Sequence, residues 1–399
     1  MGDEVRLRTL SVTVATENER MDGSMIYEYP DWVEDFVCIA DECEDTCCAG
    51  WEVDIDEGTL ELYRSAEGSF GDRLRCEIRS ENETEDGGCF FPLTKEGRCP
   101  FLNDRNLCDI ITNLGPDAIS MVCDEYPRYF VTVGDYEQMD MSLSCMELGR
   151  LFFAGEKMEL RREEDAIRRE EDDVDEERLR RILACRDRAI AALQDRPSDA
   201  RPGSWRKIIE EAVRDWTGTD DDSKGIVDQK DREELEVLFA ESDAEIHRRM
   251  TELEPLDASW PRLLADVNAT INLSERMGVK ASAGTGAGCT GEGDGVALQG
   301  MEPKCSVRTA AYEEQWNRWF TRLSVYFLFR YTIDAYYDGT VVNAVRMMCR
   351  SLRFIERMAE TRERQKGTPL TVEDMVDLAH IYSRQVEHSE ENVDALKTR

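Results

Sequence analysis

The chain has 399 residues, 41% of them hydrophobic, which is enough for two or three domains that each bury a core without covalent staples. Its 50 basic against 86 acidic residues leave a net charge of −36, and this disfavours nucleic acid because no basic stripe is available to neutralise phosphates. No apolar run reaches the ~20 residues of a membrane-spanning helix, and the greasiest stretch, residues 323–337, is interrupted by Arg330 and Asp334.

In chain order, residues 1–24 read as a disordered leader. They hold no apolar run with a small-residue cleavage site, so a secretory signal is not expected and the sequence points to the cytoplasm. Residues 25–150 form a cysteine-cluster domain that contains ten of the 14 cysteines. Within it EVDID at 52–56 alternates like a brief strand, and the following TLELYRS suggests a helix. YFVTV, Gly134-Asp135 and YEQMDMSL predict a β-hairpin, because a Gly-Asp pair adopts the positive backbone angles of a tight turn.

Residues 151–275 read as a helical region. The mixed-charge run 156–188 suggests an exposed helix with paired charges, and Ser204 is placed to cap a helix carrying Trp205, Ile208, Ile209, Val213 and Trp216 on one face, with Gly218 closing it. Further helices are expected over 232–250 and 260–273. Residues 276–308 are glycine-rich with almost no large apolar residues, and read as a flexible insertion. In the C-terminal helical region, 309–399, Trp316, Trp319, Phe320, Leu323 and Phe327 recur at helical spacing and mark a long buried helix, with two more over 342–362 and 372–386. The fold class is therefore mainly α with an irregular cysteine-rich α+β N-terminal domain.

The chemistry lies in the thiols. Cys38, Cys43, Cys47 and Cys48 fall within eleven residues, followed by Cys99, Cys108, Cys123 and Cys145. In a reducing compartment this pattern favours metal binding over disulfides, and soft sulfur ligands suit iron–sulfur clusters, zinc or cuprous copper. Only three histidines occur, so a mixed Cys/His zinc site is less available; an all-thiolate zinc staple stays open. Residues 1–150 hold 12 Lys and Arg against 35 Asp and Glu, 12 − 35 = −23, so the acidic excess surrounds the cysteines and would attract a lysine-bearing partner.

These residues resemble a known family. Phe36-Val37-Cys38, Cys43 and Cys47-Cys48-Ala49-Gly50-Trp51 are similar to the opening of the flagellin lysine-N-methylase family. The similarity continues through Cys99-Pro100-Phe101-Leu102, Leu107-Cys108, Leu114-Gly115, Cys123 to Arg128 and Leu143-Ser144-Cys145-Met146-Glu147. Downstream it resumes in Leu328-Phe329-Arg330-Tyr331, Tyr337-Asp338-Gly339 and the block from Tyr382 to Asn392, and so covers residues 27–392.

The resemblance implies a cytoplasmic methyltransferase that uses S-adenosylmethionine and a [4Fe-4S] cluster to methylate lysines of flagellin or another lysine-rich protein. It also implies Cys38, Cys43, Cys47, Cys48, Cys99, Cys108, Cys123 and Cys145 as the metal set, with Cys76 and Cys89 as additions. The rival expectation is a non-enzymatic iron- or zinc-binding protein. Arg128, Arg384, Glu387 and His388 are the candidate catalytic residues. Arg128 suits the carboxylate of S-adenosylmethionine or an acidic neighbour, and Arg384, Glu387 and His388 suit either a site or an ion-paired helix end. Two motifs are set aside: Gly284, Gly286 and Gly288 lack the flanking strand and helix of a cofactor-binding loop, and Cys43, Cys47 and Cys48 lack the CxxxCxxC spacing of radical S-adenosylmethionine enzymes.

Overall fold

The computed structural model describes residues 25–80, 88–165, 174–195, 204–216, 226–276 and 309–398. The expected leader, Gly218 and almost all of the glycine-rich insertion lie outside these residues. The chain opens with β1 (Met25–Pro30) and a short α1 (Trp32–Asp35), then enters the cysteine region. There β2 (Val53–Ile55), α2 (Glu57–Ser65) and α3 (Gly68–Glu77) precede β3 (Arg79–Ser80) and β4 (Cys89–Phe91). The strands make a three-stranded antiparallel sheet of order β2-β4-β3. Val53, Ile55, Tyr63, Leu74, Phe91, Phe101 and Ile110 fill a small core beneath it, so the brief strand and helix expected over 52–65 are both present.

Two short helices, α4 (Asp109–Leu114) and α5 (Met121–Glu125), lead to β5 (Arg128–Val133) and β6 (Tyr136–Met141). These strands form the predicted hairpin, with Val133 opposite Tyr136 and Gly134 in the left-handed region at φ 57°. The hairpin does not stand alone. β6 pairs in parallel with β1, which pairs antiparallel with β7 (Leu160–Asp165), giving a four-stranded sheet of order β5-β6-β1-β7. The run 156–188 is therefore not one exposed helix. Its LRREED segment is a half-buried edge strand whose backbone pairs with β1, and among the described residues of the run only α7 (Glu176–Gln194) is helical.

The remaining elements are helices: α6 (Met146–Ala154) after the hairpin, then α8 (Ser204–Asp215), α9 (Gln229–Ala240), α10 (Asp243–Glu252) and α11 (Trp260–Arg276). The helical pattern over 232–250 is broken between α9 and α10, because the Ser242 hydroxyl and the Glu245 carboxylate form a capping box that starts a new helix. Trp205, Ile209, Val213 and Trp216 are buried, as their spacing predicts. The C-terminal part comprises α12 (Ala310–Thr332), a short α13 (Ala335–Asp338), α14 (Val342–Lys366), α15 (Val372–Val386) and α16 (Glu390–Lys397).

The main core joins both ends of the chain. Trp32, Phe36, Met141, Leu143 and Phe152 pack with Trp319, Phe320, Leu323, Val376 and Tyr382. Fixing this union is a buried polar cluster in which Glu28 accepts from Tyr136 at 2.7 Å and ion-pairs with fully buried Arg186, which donates to Gln138 at 2.8 Å. Gln138 in turn donates to the Phe329 carbonyl at 2.8 Å, so β1, β6, α7 and α12 are cross-linked and each buried charge has a partner.

Candidate thiolate centre and its junction with the C-terminal helices

The loop between α1 and β2 carries Cys38, Cys43, Cys47 and Cys48, and it is pinned from three sides. On one side Arg150 of α6 donates to Glu44 at 2.8 Å. On another, Cys99 N–H donates to the Cys48 carbonyl at 2.8 Å, and Gly50 N–H to the Gly97 carbonyl at 3.0 Å, laying the loop along the segment that contains Cys99. Cys108 is folded back onto this segment by its bridge with Leu102 and precedes α4, while Cys123 sits in α5 and Cys145 directly precedes α6. The structure thus gathers the eight thiols implied by resemblance into one region, whereas Cys185 and Cys349 are buried in the main core.

The third side is α15. Its His380 contacts the Ser144 carbonyl through Nδ1 at 2.7 Å and the Asp45 carboxylate through Nε2 at 2.8 Å. One turn on, Arg384 donates to Asp45 at 2.7 Å and to the Ala49 carbonyl at 2.7 Å, and stacks over Trp51 with 5.3 Å to the ring centroid. These bonds from His380 and Arg384 hold the Asp45 carboxyl below its usual range. The approach of Arg384 needs Gly50, which takes φ +93° and whose Cβ, were there one, would lie 2.1 Å from Arg384 Nη2.

The block 382–392 is not a continuous helix. α15 ends at Val386 and Ser389 caps α16, so Arg384, Glu387 and His388 face different ways. Glu387 turns inward and is buried, accepting from Tyr326 at 3.0 Å and Tyr331 at 2.8 Å and pairing with Arg330 at 3.2 Å, a structural network at a helix end. His388 turns the other way, onto Trp51 (ring centroids 4.7 Å apart) and Tyr126 (6.2 Å), and Trp51 and Tyr126 are themselves 5.4 Å apart. Burial, then the cations of Arg384 and Arg330, push the His388 imidazole down to about 4, so it is neutral near pH 7. Arg128 lies at the foot of β5 with its guanidinium 6.0 Å from the Phe36 ring centroid, and among the described residues it has no ion pair with an acidic neighbour.

Trp51 and Tyr126 are the neighbours of His388 that the sequence does not single out. Both belong to motifs that carry the family likeness, but nothing in their spacing shows that residues 75 apart meet each other and His388.

The thiols differ in environment. Burial pushes Cys99 up to about 12 and Cys123 and Cys145 to about 11, whereas the hydrogen bond from Cys47 brings Cys48 down to about 7. Among the described residues, no three Cys, His, Asp or Glu side chains stand close enough to hold a single ion directly. The donor set is nevertheless all sulfur, which fits a soft metal or an iron–sulfur cluster and not a hard cation.

A thiol-rich loop clamped to a helical C-terminal region defines the class of protein, and comparison with known proteins specifies it further. Residues 203–398 match the FliB lysine N-methylase C-terminal domain, the part that contributes α15. Over 122 residues the chain is 28% identical to the flagellar biosynthetic protein FliU of Salmonella muenchen, a match covering 30% of this chain and 72% of that one. It is likewise 28% identical over 122 residues to the lysine-N-methylases of Salmonella choleraesuis and Salmonella typhimurium, and there the match spans 30% of each relative's length. No solved structure matches. Residues 203–398 are thus similar to the FliB lysine N-methylase C-terminal domain, and the chain is similar to lysine-N-methylases. Among the described residues no helix is long and apolar enough to cross a membrane.

Proposed function

We propose that the protein transfers a methyl group to lysine side chains of a protein, with flagellin or another lysine-rich protein as substrate, S-adenosylmethionine as donor and an iron–sulfur cluster held by its N-terminal thiols. One observation carries the reading: α15, within the family-matched domain, closes on the cysteine loop and sets Arg384 and His388 against Trp51.

Bound there, S-adenosylmethionine supplies an electrophilic methyl on a sulfonium. The chain's own contribution is the environment of the nucleophile. A lysine ammonium has no lone pair, so transfer requires the neutral amine. The burial and neighbouring cations that keep His388 neutral would also disfavour an ammonium placed beside it, and Trp51 and Tyr126 offer aromatic faces to its alkyl stem. Arg128, with no carboxylate partner among the described residues, is the residue we assign to the donor's carboxylate. Thiolate ligation would fix the loop that carries Asp45 and Trp51, and hence its seat on α15. The excess of acidic residues supports attraction of a lysine-rich surface, and a cysteine-rich metal-binding pattern suits the reducing cytoplasm.

The test is transfer of labelled methyl from S-adenosylmethionine to lysine in a flagellin under anaerobic conditions. Labelled methyl-lysine is the expected result. Metal-loaded protein that neither binds the donor nor transfers label would favour a non-enzymatic metal-binding protein.

A further inference from the structure

The eight thiols are not anchored on one scaffold. Cys99 and, beside it, Cys48 and Cys108 pack against the small core of the three-stranded sheet. Cys48 and Cys99 are joined by a backbone hydrogen bond of 2.8 Å, and Cys108 by its bridge to Leu102. Cys123 belongs to the same body, since α5 is held at Met121 N–H by Asp56, at the end of β2, at 2.9 Å. The charge of Cys48 is felt at Cys99, Cys108 and Cys123 alike.

Cys145 instead packs against the main core, on the turn where Ser142 bonds Ser383 of α15 at 3.0 Å. Its thiol neighbours are Cys43 and Cys38, on the stretch of loop that Arg150 ties to α6 through Glu44. Cys47 stands at the boundary: it is hydrogen-bonded to Cys48 and adjoins both Cys38 and Cys123. Four thiols on the first scaffold and three on the second, with Cys47 between, divide evenly only if Cys47 completes the second set.

We propose that the chain holds two abutting four-thiolate sites, Cys48, Cys99, Cys108 and Cys123 in one and Cys38, Cys43, Cys47 and Cys145 in the other, each with its own soft metal centre. An iron–sulfur cluster takes four thiolates, so a single cluster would leave four neighbouring thiols without a role. The first site is internal to the small sheet domain and stabilises it; the second lies on the junction with α15 and is the one coupled to the methylase domain. The inference rests on the reading that these thiols hold metal.

The experiment measures iron, acid-labile sulfide and zinc per chain in the anaerobically reconstituted full-length protein, in Cys43→Ser, in Cys108→Ser and in the double variant, with circular dichroism as the check on folding. Each single substitution is expected to lower iron and sulfide about twofold and the double to remove them. Where a variant fails to fold, Cys38→Ala and Cys123→Ala replace it with the same expectation. Loss of all metal from either single variant, or full retention in either, overturns the two-site division while leaving the metal-holding reading intact. Intact protein that takes up no metal overturns that reading itself.

Discussion

Replacing Arg384 by Ala should loosen the cysteine loop without unfolding the protein. Arg384 is 23% exposed and makes one bond to the Asp45 carboxylate, itself 44% exposed, and one to the Ala49 carbonyl, both 2.7 Å. Solvent screens the carboxylate pair, so it is assigned about 1 kcal/mol, against about 1.5 kcal/mol for the charged bond to the carbonyl and about 0.5 kcal/mol for stacking on Trp51. The sum, about 3 kcal/mol, corresponds to roughly a 100-fold change in a local opening equilibrium. Hydrogen exchange followed by mass spectrometry reads it at Gly50 and Cys99, whose N–H groups bond across the loop. Both should exchange roughly 100-fold faster in the variant, while amides of α7 should not change. Arg384→Lys, which keeps the charge but loses the two-pronged geometry, should fall between. Exchange at these positions that stays within about threefold of the intact protein would refute the clamp.

Gly50→Ala should have an effect like that of Arg384→Ala, because its Cβ would occupy the place of the guanidinium, and the same exchange measurement checks it. Glu387→Ala leaves Arg330 with only the distant Asp140 carboxylate at 3.8 Å, and should cost about 3–5 kcal/mol in urea unfolding, far more than an exposed acidic residue replaced by Ala. Asp140 is fully buried, and burial, opposed by Arg330, raises its carboxyl from 3.8 to about 7. A raised folded-state value means that the native protein holds this proton more tightly than the unfolded chain. Its contribution is therefore present below about pH 4 and lost as pH rises through about 7; stability measured across this window should fall more steeply in the intact protein than in Asp140→Asn. Cys185→Ser and Cys349→Ser should keep the full metal content, since both thiols are buried in the main core away from the loop.

What the sequence revealed and concealed divides along physical lines. The hairpin at 128–141 was legible because Gly134-Asp135 carries local turn chemistry, and the long helix after residue 309 because its aromatic residues keep helical spacing. The LRREED strand was not, since a charged stretch can satisfy either an exposed helix or an edge strand, and the choice is made by β1 more than a hundred residues away. The cysteine set was legible as a group but not as two scaffolds, because partition depends on which core each thiol packs against. In the block 382–392 the shared face that helical spacing suggests is lost at Ser389, whose capping starts a new helix and turns Glu387 and His388 to different sides.

The most direct test of the account is methyl transfer to a flagellin, resolved lysine by lysine by mass spectrometry, with the anaerobically prepared intact protein, Cys47→Ser, His388→Gln and Cys185→Ser side by side. The account predicts methyl-lysine with the intact protein and with Cys185→Ser, and a loss of at least tenfold with Cys47→Ser and His388→Gln. Equal transfer by all four proteins would contradict a centre at the junction of the cysteine loop with α15.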